Sequence, residues 1–353
     1  MKRSLSAVAA LALLGACNGT QPFFDGENAP WINAPDEGSF AEELPPAEEA
    51  PTPTGRIQRY EARDGNGGGY ARDIRYNSSD DTFYVNNLAF DGENTYQRGT
   101  NVPSLADGEF NVYDAEITVA DYLTGDTIRQ IVPYRAIYAE STNTALDDDG
   151  NVVPRSRFAI VRTGGYSDFG FGGFVYMRDG GVSLPPENTT GQAGFEGKYA
   201  GIRIFNGVSG LEFTEADVEI AIDFDDFDAN NTVRGLLYNR TVYDANGAAV
   251  PLGNYYESPD DQLPYPDLPF VIREGVDNFN EDGEMFGLVE NSRYDPYSLK
   301  TVVYETGEYY AVMAGDLNDP ADGGEIVGII VIDSVDPRTD KPAQETGGFI
   351  VYR

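Results

Sequence analysis

The 353-residue chain contains no histidine, and this absence excludes several kinds of functional site. No Ser-His-Asp or Cys-His relay can form, because both need an imidazole as the general base. Zinc, copper and haem iron also lose their most common protein ligand. The catalytic routes that stay open are paired carboxylates, a serine–lysine dyad and metal ions held by oxygen atoms.

Cysteine and lysine are scarce as well. Cys17 is the only cysteine, so no disulfide can form within the chain. Four lysines and 20 arginines stand against 59 acidic residues, and the formal net charge is −35. A surface of this sign repels nucleic acid and anionic lipid headgroups, so we expect neither as a partner. The acidity also suits a medium of high ionic strength, where salt screens the repulsion between like charges.

Long apolar runs are confined to the beginning of the chain. After residue 16 no run approaches the ~20 apolar residues that a membrane-spanning helix needs. Before it, two basic residues precede an apolar stretch over residues 5–14, and the small pair Gly15-Ala16 directly precedes Cys17. This order is typical of a secretory signal peptide. An ordinary signal peptide, with Cys17 present by chance, is the alternative interpretation.

The four residues Leu14-Gly15-Ala16-Cys17 resemble a bacterial lipobox. The resemblance implies that residues 1–16 are a lipoprotein signal peptide and that Cys17 carries acyl chains such as palmitate. Asn18 follows, instead of the aspartate that often retains lipoproteins in the inner membrane, so we expect attachment to the outer membrane, on its surface or its periplasmic face. Residues 17–54 then form a lipidated linker. Its acidic, proline-rich composition predicts an extended, disordered spacer.

From residue 55 onward, short apolar runs alternate with Gly, Asn and Asp, and 23 tyrosines and 19 phenylalanines accompany 40 glycines. This texture predicts an all-β fold. Residues 55–180 form a first, irregular β-rich region, which a Pro- and Gly-rich break over 180–194 separates from the rest. Its candidate strands are 70–76, 82–90, 111–119, 128–139, 158–162 and 173–177.

The second region, residues 194–353, contains eight evenly spaced candidate strands. They are 198–205, 217–224, 232–243, 268–273, 284–290, 309–315, 325–332 and 347–352. Val218, Ile220 and Ile222 share one face of the second strand, whereas residues 326–332 are apolar on both faces, as expected where something covers the outside. Eight antiparallel strands with the last beside the first leave no exposed edge, so we predict a closed barrel filled by side chains.

Glycine and aromatic motifs in this second region resemble the C-terminal barrel of the transferrin-binding protein B family of surface lipoproteins. The motifs are Gly197-Lys198-Tyr199-Ala200-Gly201, Asp223-Phe224, Val233-Arg234-Gly235-Leu236, Ala314-Gly315, Glu325-Ile326-Val327-Gly328 and Gly347-Gly348-Phe349. The resemblance implies a handle-like β domain packed on an eight-stranded barrel, both anchored at the outer membrane. The best-known members hold a host iron protein for a transporter. This chain is half their size, and no binding motif of the family can be matched to it.

The glycine-rich stretch over residues 163–173 is the candidate binding site. If Tyr166, Phe169 and Phe171 crowd a loop tip, they form an apolar patch suited to protein recognition. A phosphate-binding loop is disfavoured, because neither a P-loop lysine nor a helix follows. The other interpretation is a set of hairpin and bulge glycines beside exposed aromatic residues.

Each of three acidic segments has both a functional and a structural interpretation. Residues 147–151 resemble a calcium loop, and residues 278–283 match the start of an EF-hand, although Val289 replaces its final glutamate. Solvated hairpin turns are the alternative for both, and we expect no metal site. Asp223, with the aspartates at 225, 226 and 228, has the carboxylate density of a glycosidase. A polar barrel face that runs into a turn is the alternative.

These observations predict a non-enzymatic binding lipoprotein without a cofactor, which presents its barrel to a protein or a solute such as an iron carrier. A protein ligand with a basic patch would complement the acidic surface. The resemblance adds an outer-membrane transporter as a second partner. A structural envelope lipoprotein without a soluble ligand stays open as the alternative.

The lipobox predicts how a Cys17→Ala variant behaves. Without the thiol there is no site for acylation, so the variant is released from membranes or keeps its signal peptide. Membrane fractionation together with intact-mass measurement checks this expectation. Unchanged fractionation and an unchanged mass, apart from the substitution itself, would refute it.

Overall fold

The computed structural model describes residues 44–65, 67–121, 124–147, 149–165, 168–186, 190–223, 233–252, 264–271, 280–295, 299–319 and 323–353. The signal peptide, Cys17, most of the spacer and Tyr166 therefore lie outside the described residues. The described structure is β throughout, apart from one 3-10 turn at Ala106–Gly108, and this confirms the predicted fold class. None of its helices has the length and apolar character needed to cross a bilayer.

The strands are as follows: β1 Ile57–Tyr60, β2 Arg72–Asn77, β3 Thr82–Asn86, β4 Thr95–Arg98, β5 Ser104–Leu105, β6 Phe110–Asp114, β7 Thr118–Ala120, β8 Thr127–Arg129, β9 Arg135–Glu140, β10 Thr144–Leu146, β11 Val152–Pro154, β12 Ser156–Arg162, β13 Gly172–Arg178, β14 Val182–Ser183, β15 Gln192–Phe205, β16 Val208–Asp223, β17 Val233–Asp244, β18 Leu268–Val271, β19 Glu284–Asp295, β20 Lys300–Asp316, β21 Glu325–Asp336 and β22 Lys341–Tyr352.

The first region is a curled sheet with two small hairpins. Its strands pair in the order β1-β13-β12-β9-β6-β4-β3-β2, and β5 joins β6. The hairpins β7-β8 and β10-β11 stand apart from this sheet, and β14 pairs in parallel with β20 of the second region. Inside the curl, Phe83, Tyr113, Tyr138 and Val161 belong to a buried apolar cluster.

The second region is a closed barrel of eight antiparallel strands. From β15 to β22 each strand pairs with the next, and β22 also pairs with β15, where Tyr199 lies opposite Phe349. The predicted closure of the last strand on the first is therefore confirmed. Most barrel strands are longer than predicted, because they continue into segments where polar residues face the interior and hide the apolar alternation.

Both faces of the barrel wall are apolar where the curled sheet covers it. Val218, Ile220 and Ile222 lie in the interior cluster, as the alternation predicted. On β21, Ile330 faces the interior, while Ile329 packs against the cluster that joins the two regions. This cover explains why the seventh barrel strand is apolar on both faces.

The contact between the regions is tightly packed. Phe158 and Phe174 of the curled sheet lie in one apolar cluster with barrel residues such as Ile202. A Cβ atom built on Gly348 would lie 2.3 Å from Cε2 of Phe158, so this position needs a glycine. Apolar contact on this scale fixes the curled sheet and the barrel against each other.

Buried charged side chains cross the same contact. Arg178 is fully buried and donates to the carbonyl oxygens of Asp282 at 2.6 Å, Thr52 at 2.7 Å and Met313 at 2.8 Å. Burial lowers the pKa of Arg178 to about 10, which leaves it protonated at neutral pH. Two of these carbonyls belong to the barrel region and one to the segment before β1, and Arg178 itself ends β13 of the curled sheet, so one guanidinium connects all three parts.

A buried carboxylate on the barrel receives donors from the curled sheet. The side chain of Glu325 accepts hydrogen bonds from Ser156 Oγ at 2.6 Å, Ser141 Oγ at 2.7 Å and Asn143 Nδ2 at 2.6 Å. Arg59 of β1 forms a buried ion pair with Glu284 of β19, and both side chains are nearly inaccessible to solvent. Satisfied buried groups of this kind specify one relative position of the two regions, since any shift would leave them unpaired.

Residues 44–54 were assigned to the spacer, but they pack on the folded part of the chain. Ala47 forms an isolated bridge with Arg59, and the amide of Val182 donates to the carbonyl oxygen of Pro53 at 2.8 Å. The carbonyl of Pro45 accepts from the side chain of Arg59. The amino-acid composition of residues 44–54 does not predict this packing, because the contacts use backbone groups, which every residue has.

One end of the barrel interior holds charged side chains instead of apolar ones. Arg240 pairs with Glu305 and also contacts Glu345 at 3.4 Å, all three side chains being at most 3% exposed. Burial opposes the charge on Arg240, but attraction to both carboxylates outweighs it and holds the pKa above its ordinary value. Asn291 donates to Glu305 at 2.6 Å, and Tyr199 to Glu345 at 2.7 Å.

A second layer of charge lies nearer the mouth of the barrel. Arg203 contacts Glu212 at 3.0 Å and Asp336 at 3.2 Å, and Arg338 contacts the same two carboxylates. Burial opposes ionisation of Asp336, but hydrogen bonds from Arg338 outweigh it and hold its pKa below the ordinary value. The stability from this pairing is present at neutral pH and is lost as the pH falls through the lowered pKa.

Arg240 provides the test of this polar interior. Arg240→Ala leaves two buried carboxylates without a cation, so we expect the free energy of unfolding to fall by about 3–5 kcal/mol. Chemical denaturation measures this change. Arg129→Ala, at an exposed position of β8, is the control and is expected to stay within about 0.5 kcal/mol of the unaltered protein. A loss at Arg240 as small as that of the control would contradict the expectation.

Candidate binding site

Phe171 lies at one end of the curled sheet and contacts Tyr70. The ring centroids are 5.2 Å apart and the rings meet edge to face at 81°. Phe171 is 42% exposed, and the guanidinium of Arg63 lies 5.4 Å from the centroid of Tyr70. The exposed ring of Phe171 and the half-buried ring of Tyr70 form a pair, called the aromatic tip below.

Backbone contacts between two loops hold the aromatic tip in place. The amide of Tyr70 donates to the carbonyl of Gly172 at 2.8 Å, and the amide of Gly172 donates to the carbonyl of Gly67 at 3.0 Å. Gly67 has φ 108°, and a Cβ atom there would lie 1.8 Å from the carbonyl oxygen of Gly170. Only glycine allows this approach, so the glycines around the tip are structural.

The three residues of the predicted patch have different surroundings. Phe169 is half-buried and packs against the apolar cluster between the two regions, whereas Phe171 faces solvent. Tyr166 lies outside the described residues. Tyr70 is the aromatic partner that the sequence analysis did not assign to the site, since it is distant in sequence from Phe171. The only signal for it was the pair Gly68-Gly69 directly before it.

Residues 148, 278 and 279 of the candidate calcium loops lie outside the described residues. Where the loops are described, Asp147 and Asn280 use their side-chain oxygens within the turns. Asp147 accepts hydrogen bonds from the amides of Asn151 at 2.7 Å and Asp149 at 3.0 Å, and bonds to Asn151 lower its pKa. Asn280 accepts from the amides of Asp282 at 3.0 Å and Glu284 at 2.9 Å. In the described part of the chain, no three acidic side chains are grouped so as to hold a metal ion.

The candidate glycosidase cluster is described only in part. Asp223 ends β16 and accepts a hydrogen bond from Gln192 at 2.8 Å. The aspartates at 225, 226 and 228 lie outside the described residues. Where it is described, the segment has the geometry of the polar end of a barrel strand.

A cavity that the sequence analysis did not predict lies inside the curled sheet. Its volume is about 360 Å³, and it opens between β2 on one side and β1, β13 and β12 on the other. Its floor is aromatic and apolar, formed by Tyr60, Ile74, Tyr76, Tyr138, Val175 and Met177. Charged side chains surround it, namely Glu48, Arg56, Asp73, Arg75 and Arg157. We call this the arginine–tyrosine cavity.

The floor of the cavity is neutral. Tyr76 and Tyr138 pack with ring centroids 4.8 Å apart. Burial is the largest cause that raises the pKa of Tyr76, and the nearby carboxylate of Asp81 adds to it. Burial likewise raises the pKa of Tyr60, and Glu48 adds to that shift. The phenols therefore stay protonated at neutral pH, and the arginines around the floor, with the carboxylates that pair with them, set the charge of the cavity.

Comparison with known proteins gives distant structural neighbours only. No protein-family model and no curated protein sequence matches the chain. Among solved structures it is similar to a double mutant of the vaccine antigen transferrin-binding protein B from Haemophilus parasuis Hp5, with 7% identity and a TM-score of 0.37 over 85% of this chain and 45% of that one. A single mutant of that antigen gives 9% identity and a TM-score of 0.32 over 86% of this chain and 59% of the other. The chain thus spans about half the length of these structures.

Proposed function

We propose that this chain is a non-enzymatic lipoprotein that Cys17 holds on the outer membrane and that binds a protein ligand. The observation that carries the proposal is the aromatic tip, in which the exposed ring of Phe171 packs against half-buried Tyr70 on a backbone held by hydrogen bonds. Large aromatic side chains bury much area at little cost in conformational entropy, and they often dominate the binding energy of protein interfaces.

The anchor and the spacer support this proposal from the sequence. The lipobox places acyl chains at Cys17, and Asn18 directs the protein to the outer membrane. Residues up to 43 then separate the folded part from the membrane, and we assign residues 55–180 to a handle-like domain and residues 194–353 to the barrel. In this arrangement the tip, together with Phe169 and Tyr166, meets the ligand.

The charge of the chain suggests the nature of the ligand. A net charge of −35 attracts a partner with a basic patch and raises the rate of encounter. A carrier protein with such a patch, an iron carrier among them, fits this requirement. The family that the barrel motifs resemble suggests an outer-membrane transporter as the second partner, which would receive what the carrier brings.

Substitution of the tip tests the proposal. The unlipidated mature chain, with Cys17→Ser, is used to capture ligands from extracellular fluid, and captured proteins are identified by mass spectrometry. Binding kinetics are then measured with Tyr70→Ser/Phe171→Ser. We expect dissociation to become faster by about tenfold or more, because apolar contact is lost, while association slows as salt is raised.

The chain contains a matched control for this test. Leu146 and Val152 lie opposite each other in the β10-β11 hairpin and are 61% and 71% exposed. Leu146→Ser/Val152→Ser removes a similar exposed apolar pair and is expected to bind normally. Equal dissociation rates for both double variants would refute a role for the tip. A failure to capture any specific protein would favour the structural envelope lipoprotein.

A further inference from the structure

We propose that the arginine–tyrosine cavity binds a small organic anion, a molecule with an aromatic or aliphatic body and one carboxylate- or sulfonate-like group. This inference is independent of the proposed function, because neither Tyr70 nor Phe171 lines the cavity. It rests on the shape of the cavity, its apolar floor and the arginine donors around it.

The curl of the sheet creates the cavity. β1 and β2 are the two ends of the strand order, and in the described residues they are not paired with each other. Ile74 and Tyr76 of β2 therefore face Tyr60 of β1 across an open seam. The resulting volume of about 360 Å³ lies within the range of small-molecule sites, roughly 300–1,000 Å³.

The floor of the cavity suits a flat or branched apolar body. Tyr76 and Tyr138 pack closely and leave Val175 and Met177 beside them as further apolar surface. A ligand ring can stack on such a floor and bury apolar area. This burial supplies affinity but does not fix the orientation of the ligand. The charged groups around the floor then decide how the ligand is oriented.

Those charged groups are balanced in sign, unlike the rest of the chain. Three arginines, at 56, 75 and 157, stand against Glu48, Asp73 and the adjacent Asp179, whereas the whole chain has 59 acids against 24 bases. A cationic ligand would meet three guanidinium groups. An anion gains a charge-assisted hydrogen bond from any of them, and its pairing is stronger over an apolar floor than in open water.

The arginines also have free capacity for a ligand. Arg56 lies 3.7 Å from Glu48 and Arg75 pairs with Asp73 at 2.9 Å. The two arginine side chains are 43% and 64% exposed, so each guanidinium keeps donors that face solvent. Arg157 donates to Asp179, which also lies 3.8 Å from Arg56, while the Nε of Arg157 is buried and has no hydrogen-bond partner among the described residues. A buried donor without an acceptor costs free energy, and an anionic group in the cavity could supply that acceptor.

Titration with the fluorescent anion anilinonaphthalene sulfonate tests this inference on the unlipidated mature chain. We expect saturable binding at one site per chain, which weakens as salt is raised. Its uncharged analogue phenylnaphthylamine has the same ring system without the sulfonate, and we expect it to bind at least about tenfold more weakly. Equal affinity of the two probes, or no saturable binding, would overturn the proposal.

Substitution of the exposed arginines assigns the site. Arg56→Gln/Arg75→Gln is expected to weaken binding of the anilinonaphthalene probe about tenfold and to leave the uncharged probe unaffected. Arg129→Gln/Lys300→Gln removes the same charge at exposed positions outside the cavity and serves as the control. Equal affinity for the anion in the two double variants would contradict the assignment.

Two further variants separate the cavity from other surfaces. Ile74→Trp fills the cavity and is expected to abolish binding of both probes, and Met177→Phe reduces the same space if the first variant is unstable. Tyr70→Ser/Phe171→Ser alters the aromatic tip and is expected to bind the probe normally. Loss of binding in the tip variant, with normal binding in the cavity variants, would place the probe at the tip and refute the inference.

Discussion

The contact between the curled sheet and the outer wall of the barrel is the constraint on which the rest of this structure depends. Wall strands such as β21 are apolar on both faces, so without a cover the barrel would expose a large apolar surface. The curled sheet supplies that cover, and the buried groups of Arg178 and Glu325 fix its position. Both the aromatic tip and the arginine–tyrosine cavity are therefore presented by one rigid support.

The barrel interior is divided into an apolar part and a charged part. The apolar part follows the ordinary rule for an eight-stranded barrel, which side chains fill. In the charged part, Arg240 is shared between Glu305 and Glu345, so the loss of any member leaves an uncompensated charge. Buried ion pairs are seldom a large net source of stability. Here they favour a single strand register, because a shift by one residue would turn these charges outward.

Local patterns were enough to predict much of the barrel. The alternation at Val218, Ile220 and Ile222 and the two-sided apolar run ending at Ile332 identified strands and their buried faces, since side chains alternate along a strand. The same reasoning failed for residues 44–54, because many of their contacts are made by backbone groups. It also missed Tyr70 as the partner of Phe171, because a hundred residues separate them and no local pattern connects them.

The sequence by itself determined the all-β class, the eight barrel strands and their closure, the acidic surface and the absence of histidine chemistry. Each of these follows from composition or from a repeat between near neighbours in the chain. Only the tertiary structure decided which side chains meet across the curl. Arg56, Arg75 and Arg157 come from separate segments and line one cavity solely because the sheet bends until β2 faces β1. Curvature of a sheet depends on packing over its whole area, which no short segment of sequence encodes.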